Sequence, residues 1–382
     1  MEATPAGWWV ETRTKASAIF ALVAIATILV ALAAPLFASR GALQDLFFIL
    51  TMLVLAQSWN LLAGYAGLVS VGQQAFVGFG GYAMFACVLL AGLDPLLAIL
   101  IAGVAATLLA VLTGQFVFRL QGAYFAIGTW VVAEVVRLTL AQWAALGGGT
   151  GTSLPAHATR DMLGATTVGR LFGFRPAQAV DTICYWLALV LAVGTIGFIY
   201  RLLRSRQGLA LAAVRDNQEA ARSVGVDARR VKTFVYFAVA FVTGLTGALI
   251  YVQKARISPD AAFSVLDWTA YVIFIVAIGG IGTIEGPIVG VVVFLLLQNT
   301  LADYGSWYLL VLGLIGIVVM LFAPRGLWGL FSERTGIQLF PVRRMLVGGP
   351  PIAASEETPD ALKGAPHVDS VGENARPSRS GR

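Results

Sequence analysis

The stretch that decides the fold is PLLAILIAGVAATLLAVLTGQFVF, at residues 95–118. None of its side chains is charged. Because an α-helix rises ~1.5 Å per residue, about 20 apolar residues suffice to cross the ~30 Å hydrocarbon core of a bilayer. Pro95 stands at the first helical turn, where its missing N–H leaves no hydrogen bond unmade. The segment therefore predicts a membrane-spanning helix.

The rest of the chain contains nine further apolar segments of similar length. They lie at residues 16–37, 43–63, 73–91, 123–143, 182–203, 231–253, 268–282, 287–302 and 307–323. Of the 382 residues, 58% are apolar and only 12% are charged, with a mean hydropathy of +0.82. A soluble protein carries about 25% charged residues, so the composition excludes a soluble enzyme, a nucleic-acid binder and a secreted disulfide scaffold. We predict an all-α, polytopic membrane protein with about ten transmembrane helices.

The first of these segments could alternatively be a cleaved signal peptide. Arg13 and Lys15 precede it, and the ALA at residues 31–33 matches a cleavage site. Its apolar run is longer than the ~7–15 residues that are usual for a signal peptide. A retained first span is therefore predicted.

The distribution of basic residues predicts which helix ends face the cytoplasm. The segment 201–232, which joins the sixth and seventh predicted spans, contains only three acidic residues but eight basic ones: Arg201, Arg204, Arg206, Arg215, Arg222, Arg229, Arg230 and Lys232. Cytoplasmic loops are enriched in Lys and Arg, so we place this loop (204–230), the N-terminus (1–15) and the region after residue 323 in the cytoplasm. Six spans before the loop and four after it satisfy all three placements. Lys254 and Arg256 would then lie on the external side of the membrane, which counts against this topology.

This topology divides the chain into regions. Residues 16–323 form the predicted transmembrane permease domain, in which residues 144–181 form an external loop. Residues 324–382 form a cytoplasmic tail, whose last part consists largely of Pro, Gly, Ser and charged residues. Such a composition buries too little apolar surface to order a chain. We therefore expect the tail to be largely disordered.

Glycine is concentrated in two parts of the chain, around residues 64–81 and 279–290. One interpretation is close packing of helices through small residues. The other is glycine-broken helices around a cavity, because non-helical backbone at membrane depth is tolerated only against protein or water. The sequence leaves both open. Under the second, the translocation path would be lined by Gly64, Tyr65, Gly67, Ser70, Gln73, Gln74, Gly279, Gly280, Gly282 and Glu285.

Groups that could carry out chemistry are few. His157 and His367 are too far apart in the sequence for a zinc motif of the H-E-x-x-H type, and no metal site is expected. Cys87 and Cys184 lie in apolar segments, where buried, inert thiols are expected. None of the four lysines follows a glycine, so the phosphate-binding loop G-x-x-x-x-G-K-[ST] is absent. Any nucleotide that drives this protein must then bind to another chain.

The stretch DNQEAARSVG, at residues 216–225, predicts a short capped helix within the cytoplasmic loop. Asp216 can accept a hydrogen bond from the backbone of Glu219, whose side chain can reach back, as in a capping box. Gly225 supplies the left-handed position just past the helix end. A helix of about eight residues is too short to be stable alone, so it must pack on something.

The same helix carries a small apolar stripe formed by Ala220, Ala221 and Val224. The stripe would suit a helix lying on the membrane surface or one that docks on a soluble partner. Small alanine side chains allow close approach to another protein, so we favour the partner.

This loop also resembles that of a known group of proteins. Glu219, Ala220, Ala221 and, three residues later, Gly225 resemble the E-A-A-x-x-x-G loop of ATP-binding cassette (ABC) importer permeases. The I-x-L-P that usually follows is replaced by VYFA at residues 235–238, a departure that fits the branched-chain amino acid permeases. Over residues 43–330 the chain is similar to their LivM-type subunit. The stretches that resemble its motifs are residues 60–82, 148–151, 279–290 and 324–329.

The resemblance implies a heterodimeric channel formed with a second, LivH-type permease. Two cytoplasmic ABC ATPase subunits, which bind the ATP, and a periplasmic substrate-binding protein would complete the system. This chain would be a non-enzymatic subunit of the bacterial inner membrane, with both termini cytoplasmic. It would move small amino acids, above all branched-chain ones, by alternating access. The ATPase-coupling residues would be Asp216, Glu219, Ala220, Ala221 and Gly225.

Two other classes of function remain as alternatives. A secondary transporter driven by an ion gradient would use Glu134 or Glu285, which lie in or beside predicted spans. Glu134 and Arg137 are three residues apart and can pair on one helix face, in a structural or a functional role. A membrane-embedded enzyme would need a cluster of His, Cys or carboxylate side chains at membrane depth, which the sequence lacks.

Overall fold

The computed structural model describes residues 9–11, 15–301, 307–335, 339–340 and 345–347. The chain forms two compact units, one of residues 1–12 with 344–382 and one of residues 13–343. In the first unit, the strands Trp9–Glu11 and Met345–Val347 pair in antiparallel fashion, with Trp9 opposite Val347.

The second unit is helical. Its helices are α1 (Lys15–Ala33), α2 (Arg40–Asn60), α3 (Gln73–Ala91), α4 (Pro95–Val117), α5 (Ala123–Ala141), α6 (Ala156–Arg160), α7 (Ala165–Phe172), α8 (Pro176–Leu203), α9 (Arg206–Asp216), α10 (Gln218–Ser223), α11 (Ala228–Lys254), α12 (Pro259–Ala262), α13 (Tyr271–Gly279), α14 (Glu285–Leu301), α15 (Trp307–Phe322) and α16 (Gly326–Thr335). A π-helical turn, Leu61–Tyr65, continues α2, and another, Leu266–Ala270, precedes α13. The strands Thr152–Ser153 and Arg256–Ile257 form an antiparallel pair.

The predicted fold class is confirmed. Among the described residues, nine helical segments are long and apolar enough to cross a membrane, and α14 is a tenth, shorter apolar helix. Each of the ten predicted spans falls on one of these helices. The largest difference is at α8, which begins at Pro176, six residues before the predicted start at 182. Pro176 occupies the first helical turn, where its fixed φ favours the helix.

The core is built around α11, the most enclosed of the spanning helices. It packs against α2, α3, α4 and α8. Glycines permit this packing, because a Cβ at Gly80 would lie only 2.8 Å from Cα of Gly244, and one at Gly247 only 2.7 Å from Cα of Val77. The close-packing interpretation of the glycines therefore holds between α3 and α11.

The connecting segments meet at two ends of the bundle. At one end, the backbone N–H of Leu163 donates to Asp94 over 2.8 Å, and the guanidinium of Arg40 pairs with Asp181 at 2.6 Å. At the other end, the segment between α8 and α11 meets the turn after α2 and the break between α13 and α14. We call these the Asp94 end and the α9–α10 end. Each contact joins segments that the predicted topology places on the same side of the membrane.

The terminal regions differ in part from expectation. The tail was expected to be largely disordered from residue 324, but Gly326–Thr335 forms α16 and Met345–Val347 forms a strand. The reason for α16 is its content of large apolar side chains, which include Leu327, Trp328 and Phe331. Residues 348–382 and most of the predicted N-terminal segment 1–15 lie outside the described residues.

Candidate functional site

The first part of the candidate site is the segment between α8 and α11, which contains α9 and α10. Ala221 of α10 is buried against Val214 of α9 and Ala228 of α11, which holds the two short helices on the end of the bundle. The amine of Lys232 donates to Oε1 of Gln218 over 2.8 Å and ties the start of α10 to α11. Although α10 has only six residues, these contacts stabilise it.

The predicted capping residue of α10 was wrong by one position. Asp216 is the last residue of α9, so it cannot begin α10. Asn217 has the extended backbone of an N-cap, with φ −155° and ψ 109°, and its Oδ1 accepts from the N–H groups of Glu219 and Ala220, each over 3.0 Å. Asp216 instead pairs with the guanidinium of Arg215 at 3.2 Å.

The predicted end of α10 is confirmed. Gly225 has a φ of +85°, in the left-handed region. Its N–H donates to the carbonyl of Arg222, and the N–H of Val226 donates to the carbonyl of Ala221, each over 3.0 Å. This pair of hydrogen bonds is a Schellman motif. Gly225 therefore sets the direction in which the chain leaves α10 for α11.

The predicted apolar stripe divides between two faces of α10. Ala221 faces the bundle, whereas Ala220 and Val224, four residues apart, face outward. The side chain of Val224 is 77% exposed. Glu219 is exposed beside them. The helix thus presents a small, rigid, outward knob with one acidic group, which suits contact with another protein.

The second part of the candidate site is the junction of the two glycine clusters, which we call the glycine junction (residues 60–67 and 279–286). Two carboxamides of α2 hold the break between α13 and α14. Nδ2 of Asn60 donates to the carbonyl of Thr283 and Nε2 of Gln57 donates to the carbonyl of Ile284, each over 2.7 Å. Oδ1 of Asn60 accepts from the N–H of Gly282 over 2.8 Å. Both side chains are fully buried, so they satisfy non-helical backbone that has no water to bind.

Glycine is required at the centre of this junction. A Cβ at Gly64 would lie 2.6 Å from the backbone N of Gly282 and 2.5 Å from Oδ1 of Asn60. Gly280 and Gly282 have φ values of +133° and +77°, which only glycine adopts readily. The two broken segments, far apart in the sequence, therefore meet backbone to backbone.

Arg215 joins the two parts of the site. From the last turn of α9, its Nη1 donates to the carbonyl of Gly64 over 3.2 Å. The same nitrogen lies 3.8 Å from the position that a Cβ at Gly282 would take. Nη1 of Arg215 thus lies against both segments of the glycine junction. This contact could not be predicted from the sequence, because Arg215 is one of eight basic residues in the loop.

The other predicted path residues have definite places. The indole N–H of Trp59 donates to the carbonyl of Ser70 over 2.7 Å, and Nε2 of Gln73 donates to the carbonyl of Leu55 over 3.0 Å. Oε1 of Gln74 accepts from the hydroxyl of Thr269. Ser70, Gln73 and Gln74 are buried and take part in contacts within the helix bundle, and their place on a translocation path stays a prediction.

Two other predicted path residues, Glu285 and Gly67, have different surroundings from Ser70, Gln73 and Gln74. Oε1 of Glu285 accepts from the backbone N–H of Phe340 over 2.9 Å, so this buried carboxylate anchors the segment after α16. Gly67 lines a cavity of about 520 Å³ between the turn after α2, the α4–α5 turn, Gln218 and Lys232. The remaining predicted residues lie at the glycine junction, where Gly279 and Gly280 are buried and Tyr65 is half-buried.

The charged pair predicted on α5, Glu134 and Arg137, lies at the Asp94 end of the bundle. Arg137 donates to both carboxylate oxygens of Glu134 and to Oδ1 of Asp260, the last over 2.7 Å, so it joins α5 to α12 at the Asp94 end. Cys87 and Cys184 are not bonded to each other. Within the described ranges, no group of three or more His, Cys, Asp or Glu side chains could hold a metal ion.

Comparison with known proteins agrees with this architecture. A family model described as "Branched-chain amino acid transport system / permease component" matches residues 41–323. The chain is 29% identical over 315 residues to the "High-affinity branched-chain amino acid transport system permease protein LivM" of Escherichia coli K12, covering 79% of this chain and 73% of the relative. The Salmonella typhimurium protein of the same name is 28% identical over 316 residues, with the same coverage.

A more distant relative carries a different name. It is the "Probable branched-chain amino acid transport permease protein LivH" of Methanocaldococcus jannaschii, which is 24% identical over 168 residues, or 42% of this chain and 50% of the relative. No solved structure matches the chain significantly.

Proposed function

Because the chain is a LivM-type member of the branched-chain amino acid transport permease family, we propose that it serves an ATP-driven importer that moves small amino acids inward by alternating access. It is a transport subunit of the membrane and not an enzyme. The observation that carries the proposal is the link from the knob of α10 through Arg215 to the glycine junction. A transporter whose ATPase subunits are separate chains needs such a link.

The proposed assembly contains four kinds of chain. This chain and a LivH-type permease form the channel in the lipid bilayer of the bacterial inner membrane. Two ABC ATPases bind the ATP and receive α10, while a periplasmic substrate-binding protein delivers the amino acid. Residues 204–230 are the cytoplasmic coupling loop and residues 144–181 the external loop, with both termini cytoplasmic. Neither a cofactor on this chain nor a nucleic-acid partner is part of the proposal.

The proposed mechanism transmits motion without chemistry in this chain. When the ATPases close on nucleotide, α10 moves with the groove that holds it. The buried contacts of Ala221 with Val214 and Ala228 carry that motion to α9 and α11. Arg215 then pulls on the carbonyl of Gly64 and reorients the broken helices at the glycine junction. The substrate is released toward the cytoplasm.

A secondary transporter driven by an ion gradient is less well supported. Its two candidate carboxylates make structural contacts, since Glu134 pairs with Arg137 and Glu285 binds the backbone of Phe340. The two functions are separated by uptake into vesicles that contain the complete system. We expect uptake to require ATP and to be blocked by orthovanadate. Uptake that is driven by an ion gradient in the absence of ATP would favour the secondary transporter.

Changing Gly225 to Pro should uncouple the importer. Proline cannot adopt the φ of +85° and has no N–H for the carbonyl of Arg222, so the end of α10 should be lost at a cost of about 3 kcal/mol. We expect the complex to insert in the membrane but ATP-driven leucine uptake in proteoliposomes to fall more than about tenfold. The matched control is Gly225→Asn, because asparagine tolerates the left-handed region and should retain most of the uptake. Wild-type uptake by the proline variant would refute the coupling role.

The orientation of the chain can be measured with two single cysteines. In a background without Cys87 and Cys184, Val224→Cys places a thiol on α10, and Leu171→Cys places one on α7, at positions 77% and 72% exposed. We expect a membrane-impermeant maleimide to label position 224 only in inside-out vesicles and position 171 only in right-side-out spheroplasts. The reverse pattern would show that α10 faces the periplasm, where no ATPase could reach it.

A further inference from the structure

Three charged side chains form a group on the outer face of the helix bundle. Nε of Arg137 donates to both carboxylate oxygens of Glu134, each over 3.0 Å, and its Nη1 donates to Oδ1 of Asp260 over 2.7 Å. The side chains of Glu134 and Asp260 are 44% and 84% exposed. The group therefore faces outward, toward whatever surrounds this chain in the membrane.

Glu134 lies at membrane depth. The 19 residues of α5 make a helix of about 28 Å, which just spans a hydrocarbon core of ~30 Å. Exposed aromatic side chains, Tyr124 and Trp143, stand at or just beyond its two ends, as in the aromatic belts that mark the membrane surfaces. Glu134 is seven residues before the helix end at Ala141, or about 10 Å from that end. Charged side chains at such depth almost always face protein or water, so lipid is not the expected neighbour of this face.

The exposed side of α5 has the spacing of a helix-packing surface. Ile127, Val131, Glu134 and Leu138 follow one another at steps of four, three and four residues, and the three apolar side chains are exposed. Such a repeat places side chains along one line of a helix, where a single neighbouring helix can contact all of them. Ala133, on another side of α5, is buried in the bundle. The exposed line is therefore available to a helix of another chain.

The charges of the group do not balance. Glu134 and Asp260 contribute two negative charges against the single positive charge of Arg137. Within the described part of the chain, neither carboxylate pairs with a second basic side chain. A neighbour with a Lys or Arg side chain opposite Glu134 would complete the group, whereas an acidic neighbour would be repelled. The face therefore fits a membrane protein that carries a basic residue at the matching depth.

We propose that the line of Ile127, Val131, Glu134 and Leu138 on α5 is the surface on which the second permease packs, and that a basic side chain of that permease pairs with Glu134. Asp260 extends this surface onto α12. The inference rests on the proposed function for the identity of the partner, because this chain would form the channel together with a LivH-type permease. It adds which face of the chain meets that permease.

The outer face of α4 provides an internal comparison. It is as apolar and as exposed as that of α5, through Val104, Leu108 and Leu112. No side chain of α4 is charged. Because lipid tails are as apolar as leucine, lipid is the expected neighbour of this face.

The test is photo-crosslinking in the purified complex of both permeases and the ATPases, held in nanodiscs. p-Benzoylphenylalanine is placed at Val131 or Leu138, and at Leu108 as the matched control. We expect adducts with the second permease from positions 131 and 138, and adducts with lipid alone from position 108. Adducts with lipid alone from positions 131 and 138 would overturn the proposal. So would labelling of Val131→Cys by a water-soluble maleimide without any adduct to the second permease, because the face would then line water.

Reversing the charge tests the pairing. Glu134→Lys places a second positive charge beside Arg137 and opposite the partner's basic residue, so the amount of second permease that co-purifies should fall about tenfold or more. The matched control is Asp161→Lys, which reverses an exposed acidic residue between α6 and α7 and should leave co-purification unchanged. Wild-type co-purification by Glu134→Lys would refute the pairing. If that variant fails to insert, the photo-crosslinking still decides which face the second permease contacts.

Failure of the importer proposal would look different. The second permease would then still be crosslinked from positions 131 and 138, but ATP would not drive uptake. Conversely, a complex that accumulates substrate normally and yields only lipid adducts from these positions would refute the α5 surface alone.

Discussion

Changing Arg215 to Ala should reduce ATP-driven leucine uptake by about tenfold or more while the ATPase subunits remain bound. The hydrogen bond from Nη1 of Arg215 to the carbonyl of Gly64 connects the segment that docks on the ATPases to the glycine junction. A hydrogen bond to a charged group contributes ~1.5–3 kcal/mol, which corresponds to roughly 10- to 100-fold in an equilibrium constant. The measurement is uptake in proteoliposomes, together with co-purification of the ATPases.

Two control variants separate the loss of the Arg215 hydrogen bond from the loss of a positive charge. Arg119→Ala removes an exposed arginine of the α4–α5 turn, outside the segment between α8 and α11, and it should leave uptake within about twofold, since surface changes shift stability by less than ~0.5 kcal/mol. Arg215→Lys keeps the charge but loses the forked donors, so it should restore part of the uptake. If Arg215→Ala transports at the wild-type rate, motion reaches the helices by another route.

Changing Gly64 to Ala should destabilise the permease and abolish transport. The new methyl would lie 2.6 Å from the backbone N of Gly282, and backbone that is held by Asn60 cannot move aside. Overpacking of a buried site costs about 1–3 kcal/mol, and the rigid neighbours place this site at the upper end of that range. We expect a lower midpoint of thermal unfolding in detergent and a loss of uptake greater than about tenfold.

Gly194→Ala is the matched control for this substitution. Gly194 lies within α8, and a Cβ there would meet no atom within 4 Å. Because alanine favours helices by ~1 kcal/mol over glycine, this variant should be neutral or slightly stabilising. Equal unfolding midpoints for the two variants would mean that the contact between Gly64 and Gly282 does not constrain the protein.

The fold could be predicted from the sequence where the structure depends only on residues that are close together in the chain. Apolar runs of about 20 residues identify spanning helices directly, and Gly225 could be predicted at the end of α10 because few residues adopt a positive φ. The capping residue could not be separated from its neighbour, since both Asp216 and Asn217 are good N-caps. Only the extent of α9, which depends on the packing of Leu211 and Val214, decides between them.

The candidate site shows where such prediction ends. The two glycine clusters could be identified, but their contact depends on Asn60 and Gln57, which recognise carbonyls more than 200 residues away. Carboxamides within an apolar helix give no indication of their partner. The same holds for Glu285, whose hydrogen bond with the backbone of Phe340 could not be predicted from the sequence.

The three hydrogen bonds that Asn60 and Gln57 make with residues 282–284 have a consequence for how the molecule changes shape. Pulling α2 away from residues 282–284 would leave several backbone groups without partners in a dry interior, at roughly 1–3 kcal/mol for each group. A cycle that broke and remade these bonds at every turnover would add that cost to its energy barrier. We therefore expect α2 and the break between α13 and α14 to move together as one rigid body, so that the glycine junction is reoriented as a unit and its internal hydrogen bonds stay intact.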